Sequence, residues 1–166
     1  APWDWQADIP HGSIHRHEYA SEFPHKPRGL MVYTPPGYEN APNVSYPLLV
    51  LQHGNGDNER SWSEHGKAHW IMDSLLNQGT AVPMIIVMIN GHPADETLPR
   101  MEAFRRELFE DALPLVESNY RILPGTENHA LVGLSMGGWS STSGWPIQSR
   151  HLRFNRSHEC RSPGSR

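Results

Sequence analysis

Residues 130–138 read ALVGLSMGG, and this stretch decides the fold that the sequence predicts. The apolar run at its start is typical of a buried strand, and the pattern GxSxG follows it directly. Glycines around Ser135 leave room for a strained turn that lifts the serine hydroxyl above a sheet. The pattern alone arises by chance in roughly one chain in ten. Its place after a strand therefore carries the argument, and the alternative is a tight strand-to-helix turn without chemistry.

The rest of the chain supplies further elements of the same kind. A second apolar run, LLVL at 48–51, ends in a glycine-containing loop, HGNGDN at 53–58. The other predicted elements are two edge strands within 13–22 and 30–33, a strand over 84–89, a helix over 67–78 that stops at Gly79, and a helix over 100–120 kinked at Pro114. Strands alternating with helices indicate an α/β fold with a mostly parallel sheet and helices on both faces.

Both glycine-containing loops are expected at the carboxyl ends of their strands, where α/β sheets bind ligands. Ser135 is the candidate nucleophile. A helix beginning after it would direct backbone N–H groups at developing negative charge, so the Met136 N–H is the expected first oxyanion donor. The second donor is expected from the earlier loop, at Asn55. Trp62 follows that loop and is a candidate for lining the substrate cleft, although packing is an equal alternative.

Composition excludes several function classes. The net charge of −4 comes without a basic stripe, which argues against nucleic-acid binding. No apolar run reaches the length of a membrane span, so we expect a soluble protein. The start at Ala1 is compatible with a removed signal peptide and hence with a secreted or periplasmic location. The single Cys160 forms no internal disulfide.

The chain divides at residue 139. Residues 1–139 hold 9 Lys and Arg against 17 Asp and Glu, whereas residues 140–166 hold 5 Arg against one Glu. The second segment is rich in serine and has no hydrophobic period. We therefore expect the N-terminal part of a hydrolase domain over 1–139, incomplete at its C-terminus, and over 140–166 a frameshifted or poorly ordered tail.

Several stretches together resemble one esterase family, which includes bacterial feruloyl esterases, acetyl xylan esterases and esterase D-like enzymes. They are YTPPGY at 33–38, HGNGDN at 53–58 with Trp62, LPLVESNY at 113–120 and GLSMGG at 133–138. The resemblance covers about residues 10–139. It implies an α/β-hydrolase fold and a serine carboxylic ester hydrolase that needs no metal or cofactor. By position, Asn55 and Met136 match the family's oxyanion donors.

The resemblance also implies an acidic residue and then a histidine downstream of Ser135, and here the chain departs from it. After Ser135 only Glu159, His151 and His158 are available, and no strand pattern places them near the serine. The sequence therefore predicts an esterase, with feruloyl or acetyl esters of plant polysaccharide as candidate substrates, that is truncated and nearly inactive. The alternative is a non-catalytic remnant that binds carbohydrate or a partner protein.

Histidines elsewhere in the chain raise the hypothesis of a metal site. The candidates are His11, His15, His17, His65 and His69. The HExxH pattern is absent, and alternation along an edge strand would turn His15 and His17 toward solvent. No metal site is therefore predicted.

Overall fold

The computed structural model describes residues 4–22 and 26–136. The strands are β1 (Ser13–Ala20), β2 (Pro27–Thr34), β3 (Leu48–Gln52), β4 (Ile85–Ile89) and β5 (His129–Gly133). The α-helices are α1 (Ser61–Glu64), α2 (Ala68–Asn77), α3 (Arg100–Arg106) and α4 (Leu113–Asn119). A π-helical turn, Glu107–Ala112, joins α3 to α4, and short 3₁₀ turns cover Tyr38–Asn40 and Thr126–Asn128. The segment 140–166 lies outside the described residues, so the division at 139 stays a prediction.

The five strands form one mixed sheet in the order β1-β2-β4-β3-β5. Strands β4, β3 and β5 are parallel, while β2 runs antiparallel to β4 and β1 antiparallel to β2. The predicted α/β sheet is confirmed, and its parallel part carries both glycine-containing loops. One detail of the prediction is wrong, because β2 lies inside the sheet. Leu30 and Val32 on this strand are fully buried, as expected for an interior strand that has a neighbouring strand on each side.

The sheet buries a separate apolar cluster on each face, which confirms helices on both sides. On one face Val50 and Val87 pack with Phe104 of α3 and with Leu108. On the opposite face Leu51 and Met88 pack with Met72 of α2. Successive residues of a strand point to opposite faces, so the continuous apolar runs of β3 and β4 supply both clusters at once.

The helix predicted over 100–120 is irregular, but the irregularity does not begin at Pro114 as expected. The irregularity is the π-helical turn Glu107–Ala112, and Pro114 is the second residue of α4. Pro114 has no N–H to donate, and in a regular helix its ring would crowd the carbonyl of Glu110. The wider turn just before it avoids that clash.

The prediction for the β1 histidines is wrong. His15 and His17 are half-buried and turn toward Tyr120, whose hydroxyl lies 2.6 Å from His17 Nε2. The alternate residues Arg16 and Glu18 take the solvent face. Burial and the neighbouring His15 lower the pKa of His17. Among residues 4–22 and 26–136, no group of three or more His, Cys, Asp or Glu side chains could hold a metal ion.

The helices in the described part of the chain are too short and too polar for any of them to cross a membrane.

Candidate active site

The two glycine-containing loops leave the sheet side by side, as the sequence predicts. Gln52 at the end of β3 pairs with Gly133 at the end of the adjacent parallel strand β5. One step further on, the Leu134 N–H donates to the Gln52 carbonyl at 3.1 Å. This bond continues the ladder beyond both strands, so it fixes the start of one loop against the start of the other.

Ser135 lies in the left-handed region of backbone conformation, with φ of 53°. A left-handed backbone costs a residue with a Cβ roughly 1 to 2 kcal/mol, and non-glycine residues held there concentrate at functional sites. The serine is exposed at the end of β5, and Met136 follows it half-buried. The rest of the helix predicted after Ser135 lies outside the described residues.

The loop after β3 approaches Ser135 closely at Gly54. A Cβ placed on Gly54 would lie 3.8 Å from the Ser135 Cβ and 3.6 Å from the Leu134 carbonyl oxygen. The following residues turn back, with the Asp57 N–H 3.4 Å from the Gly54 oxygen and Gly56 at φ of 87°. A positive φ at the third position of a turn favours glycine. Asn55, at the tip of this turn, is exposed and is one residue from the contact with the serine.

A buried histidine lies behind this loop, and sequence reasoning assigned no role to it. The His53 side chain is 1% exposed, and both ring nitrogens have partners. Nδ1 lies 2.7 Å from the Gly54 oxygen, and the Gly91 N–H donates to Nε2 at 2.9 Å. The available signal was a polar pair, Gln52 and His53, closing an otherwise apolar strand.

The loop after β4 supplies that Gly91 N–H and is itself firmly held. The Asn90 amide donates to Glu59 at 3.1 Å, and its oxygen accepts from the His92 N–H at 3.0 Å. Arg28 donates to the carbonyl oxygens of Asn90 and His92. Three loops from three neighbouring parallel strands are thus linked at one edge of the sheet.

The pKa of His92, in this loop, is lowered from its ordinary value. Its Nδ1 lies 2.6 Å from the Arg100 guanidinium, which can only donate. Burial lowers the pKa of His92, and the positive charge of Arg100 lowers it further. The ring is therefore held as the neutral acceptor.

The structure places Trp62 on α1, beyond the loop that contains Asn55. The indole is half-buried and packs against the cluster that contains Leu51 and Met72. Its Nε1 is buried and has no hydrogen-bond partner among the described residues. Packing is thus an observed role of Trp62, and substrate lining stays a prediction. His151, His158 and Glu159 lie outside the described residues.

Comparisons with known proteins agree on one family. The family model described as Putative esterase matches residues 21–142. The endo-1,4-beta-xylanase/feruloyl esterase of Xylanibacter ruminicola is 37% identical over 142 residues, which is 81% of this chain and 20% of that protein. Endo-1,4-beta-xylanase Y of Acetivibrio thermocellus is 30% identical over 122 residues, 67% of this chain and 11% of that protein.

A solved structure extends the agreement to the fold. The ferulic acid esterase of Anaeromyces mucronatus, in complex with ferulic acid, is 30% identical with a TM-score of 0.73. The match covers 83% of this chain and 54% of that one. The chain therefore spans about half of this solved relative and a fifth or less of the two curated relatives. Its sheet is that of an α/β hydrolase, and the chain belongs to the Putative esterase family.

Proposed function

We propose that this chain carries the nucleophile and the oxyanion hole of a serine carboxylic ester hydrolase. The observation that supports this most directly is the left-handed Ser135 at the end of β5, beside the Gly54 loop, where a Cβ on Gly54 would lie 3.8 Å from the Ser135 Cβ. A strained serine at a strand end, facing a loop that can supply a second N–H donor, is the arrangement that acyl transfer requires. Membership of the esterase family supports the same reaction.

In the proposed reaction the Ser135 Oγ attacks the ester carbonyl carbon while a histidine base accepts its proton. The carbonyl oxygen becomes negatively charged, and the Asn55 and Met136 N–H groups stabilise it. The tetrahedral intermediate then releases the alcohol, which takes the proton from the histidine. Water attacks the acyl-enzyme in the same way and releases the acid. No step requires a cofactor.

The base and its acidic partner are proposed to come from residues outside 4–22 and 26–136. Within the described residues, His53 is the histidine that adjoins the Gly54 loop, but both of its nitrogens are engaged in hydrogen bonds. It has no free lone pair with which to accept the serine proton.

Feruloyl or acetyl esters attached to plant polysaccharide are the proposed substrates. The support is that one relative is named an endo-1,4-beta-xylanase/feruloyl esterase and that a structural relative holds ferulic acid. A polysaccharide substrate would place the protein outside the cell. Trp62 is proposed to border the substrate, because α1 follows directly from the loop that contains Asn55.

A second candidate function is binding without turnover, of a carbohydrate or of a partner protein. It is favoured by one observation: both ring nitrogens of His53, the histidine next to the Gly54 loop, are engaged in hydrogen bonds. A hydrolase sheet that retains the oxyanion hole and lacks the base would still bind an ester or a sugar.

The deciding experiment compares wild type, Ser135→Ala and Ser118→Ala, an exposed serine of α4 that serves as the control. Initial rates on p-nitrophenyl acetate and methyl ferulate are measured together with covalent labelling by a fluorophosphonate and the intact mass. We expect labelling and a slow hydrolysis in wild type and in Ser118→Ala, because no triad acid and histidine are identified within the described residues, and neither labelling nor hydrolysis in Ser135→Ala. Equal rates in all three proteins would overturn the proposal, and sugar binding without a Ser135-dependent rate would support the second candidate.

A further inference from the structure

The hydrogen bonds of His53 fix both its protonation and its orientation. The Gly91 N–H donates to Nε2 at 2.9 Å, so that nitrogen carries a lone pair and the proton of the neutral ring resides on Nδ1. Nε2 also lies 3.4 Å from Asn90 Oδ1, but this contact is longer, and that oxygen already accepts from the His92 N–H at 3.0 Å. Nδ1–H therefore donates to the Gly54 carbonyl at 2.7 Å. His53 thus links the loop after β4 to the loop beside Ser135, because its Nε2 accepts from the first loop and its Nδ1–H donates to the second.

The Gly54 carbonyl, which accepts this bond, belongs to the peptide group whose N–H is the proposed oxyanion donor. The Gly54 C=O and the Asn55 N–H belong to the same planar trans peptide, in which the two groups point in opposite directions. Holding the oxygen toward the buried His53 therefore turns the Asn55 N–H away from the ring. The Gly54 oxygen also receives the Asp57 N–H at 3.4 Å, which makes that contact the weaker of the two.

The residue that fixes the histidine is confined in turn. A Cβ on Gly91 would lie 2.5 Å from Gln52 Nε2 and 2.9 Å from Gln52 Cγ, so any larger residue would displace this loop or the glutamine. Asn90 and Arg28 hold the backbone on either side of Gly91. The Gly91 N–H is therefore held in a fixed position. From there it can keep the proton of His53 on Nδ1.

We propose that His53 is a positioning residue that aims the Asn55 N–H into the oxyanion hole through its Nδ1–H bond to the Gly54 carbonyl. This inference rests on the proposed function. The histidine does not touch the reacting atoms, and its effect is exerted through the orientation of one peptide plane. Losing an oxyanion donor costs about 10²- to 10³-fold in kcat. A misdirected donor is expected to cost roughly 10²-fold in kcat with little change in KM.

Two substitutions separate the two nitrogens of the ring. In His53→Asn the amide nitrogen takes the position of Nδ1 and can still donate to the Gly54 oxygen. In His53→Gln the amide takes the position of Nε2 and can still accept from Gly91, but the donor to Gly54 is lost. Both replacements are polar, smaller than histidine and similarly placed at a buried site, so a purely structural role would make their effects similar.

The experiment measures kcat and KM on p-nitrophenyl acetate, the free energy of unfolding and a crystal structure for wild type, His53→Asn and His53→Gln in the full chain. We expect kcat to fall roughly 10²-fold in His53→Gln and less than about 10-fold in His53→Asn, with the Gly54–Asn55 peptide rotated only in the former. Gly91→Ala, which moves the partner of Nε2, is expected to lower kcat as well.

Equal loss of kcat in the Asn and Gln variants, or an unrotated peptide in His53→Gln, would overturn the inference while Ser135-dependent hydrolysis in wild type left the proposed function intact. Absence of a Ser135-dependent rate in wild type would instead count against the proposed function. In that case the orientation of the Gly54–Asn55 peptide in the crystal structures of wild type and the two variants still decides whether His53 positions it.

Discussion

The Arg28 guanidinium of β2 lies 2.7 Å from the Glu107 carboxylate in the π-helical turn, and the two side chains are 13% and 5% exposed. Glu107 also accepts from the Tyr19 hydroxyl at 2.8 Å and from the Ala94 N–H at 3.0 Å. Burial, together with the Glu107 charge, raises the pKa of Tyr19 well above its ordinary value. The carboxylate thus joins β1, β2 and the loop after β4, which borders the candidate site.

Glu107→Gln is expected to lower the free energy of unfolding by about 3 kcal/mol, because Arg28 is left charged and buried without a counter-charge. Urea denaturation checks the value. Glu18→Gln is the control, since the Arg16–Glu18 pair has the same 2.7 Å separation but is 56% and 67% exposed. The control is expected to lose less than about 0.5 kcal/mol. Similar losses in both variants would show that burial does not govern the Glu107 pair.

Ser135→Gly is expected to be more stable than Ser135→Ala by about 1 kcal/mol, because glycine adopts the left-handed backbone without strain. Ser118 in α4 provides the opposite case, since glycine in a helix is less stable than alanine by roughly 0.5 to 1 kcal/mol. Denaturant unfolding of the four variants measures both differences. The same sign at both positions would contradict a left-handed conformation at Ser135.

The stability of the fold is expected to fall on acidification, in part through His92. The unfolded chain takes up a proton near the ordinary pKa of 6.5, whereas the lowered pKa of folded His92 delays protonation to more acidic solution. Between the two pKa values the unfolded state binds more protons, so stability rises with pH there. The contribution of His92 is complete above pH 6.5 and is lost as the pH falls from there through the lowered pKa of the folded state.

His92→Asn tests this expectation, because the amide oxygen can accept from Arg100 and does not titrate. Urea midpoints measured at about pH 7.5 and about pH 5.5 are expected to differ less in His92→Asn than in wild type. An unchanged difference would assign the acid sensitivity to other groups, such as His69, whose pKa is also lowered by burial.

Much of the fold was predictable because the buried strands are continuous apolar runs in the sequence. The runs at 48–51 and 84–89 fixed β3 and β4 to within a residue of each end. The interior place of β2 was missed, because a short apolar run does not reveal which strands flank it. The π-helical turn was missed for a similar reason, since proline marks a disturbance in a helix but not the turn that absorbs it.

The sequence predicts that the two loops of the candidate site lie side by side, because each loop follows a parallel strand. It does not predict the hydrogen bonds between residues of different loops. The predicted approach of the loop after β3 to Ser135 is observed, because parallel neighbouring strands place both loops at one edge. The bond from Gly91 to His53 spans 38 residues and involves a backbone donor. No periodicity or motif encodes such a pair, so only the folded arrangement could reveal it.

The left-handed backbone of Ser135 also has a consequence for protein engineering. A search for substitutions that raise stability would select glycine at this position, because glycine relaxes the turn. The same substitution would remove the hydroxyl that the proposed reaction uses, so thermal robustness and the proposed activity make opposite demands on residue 135.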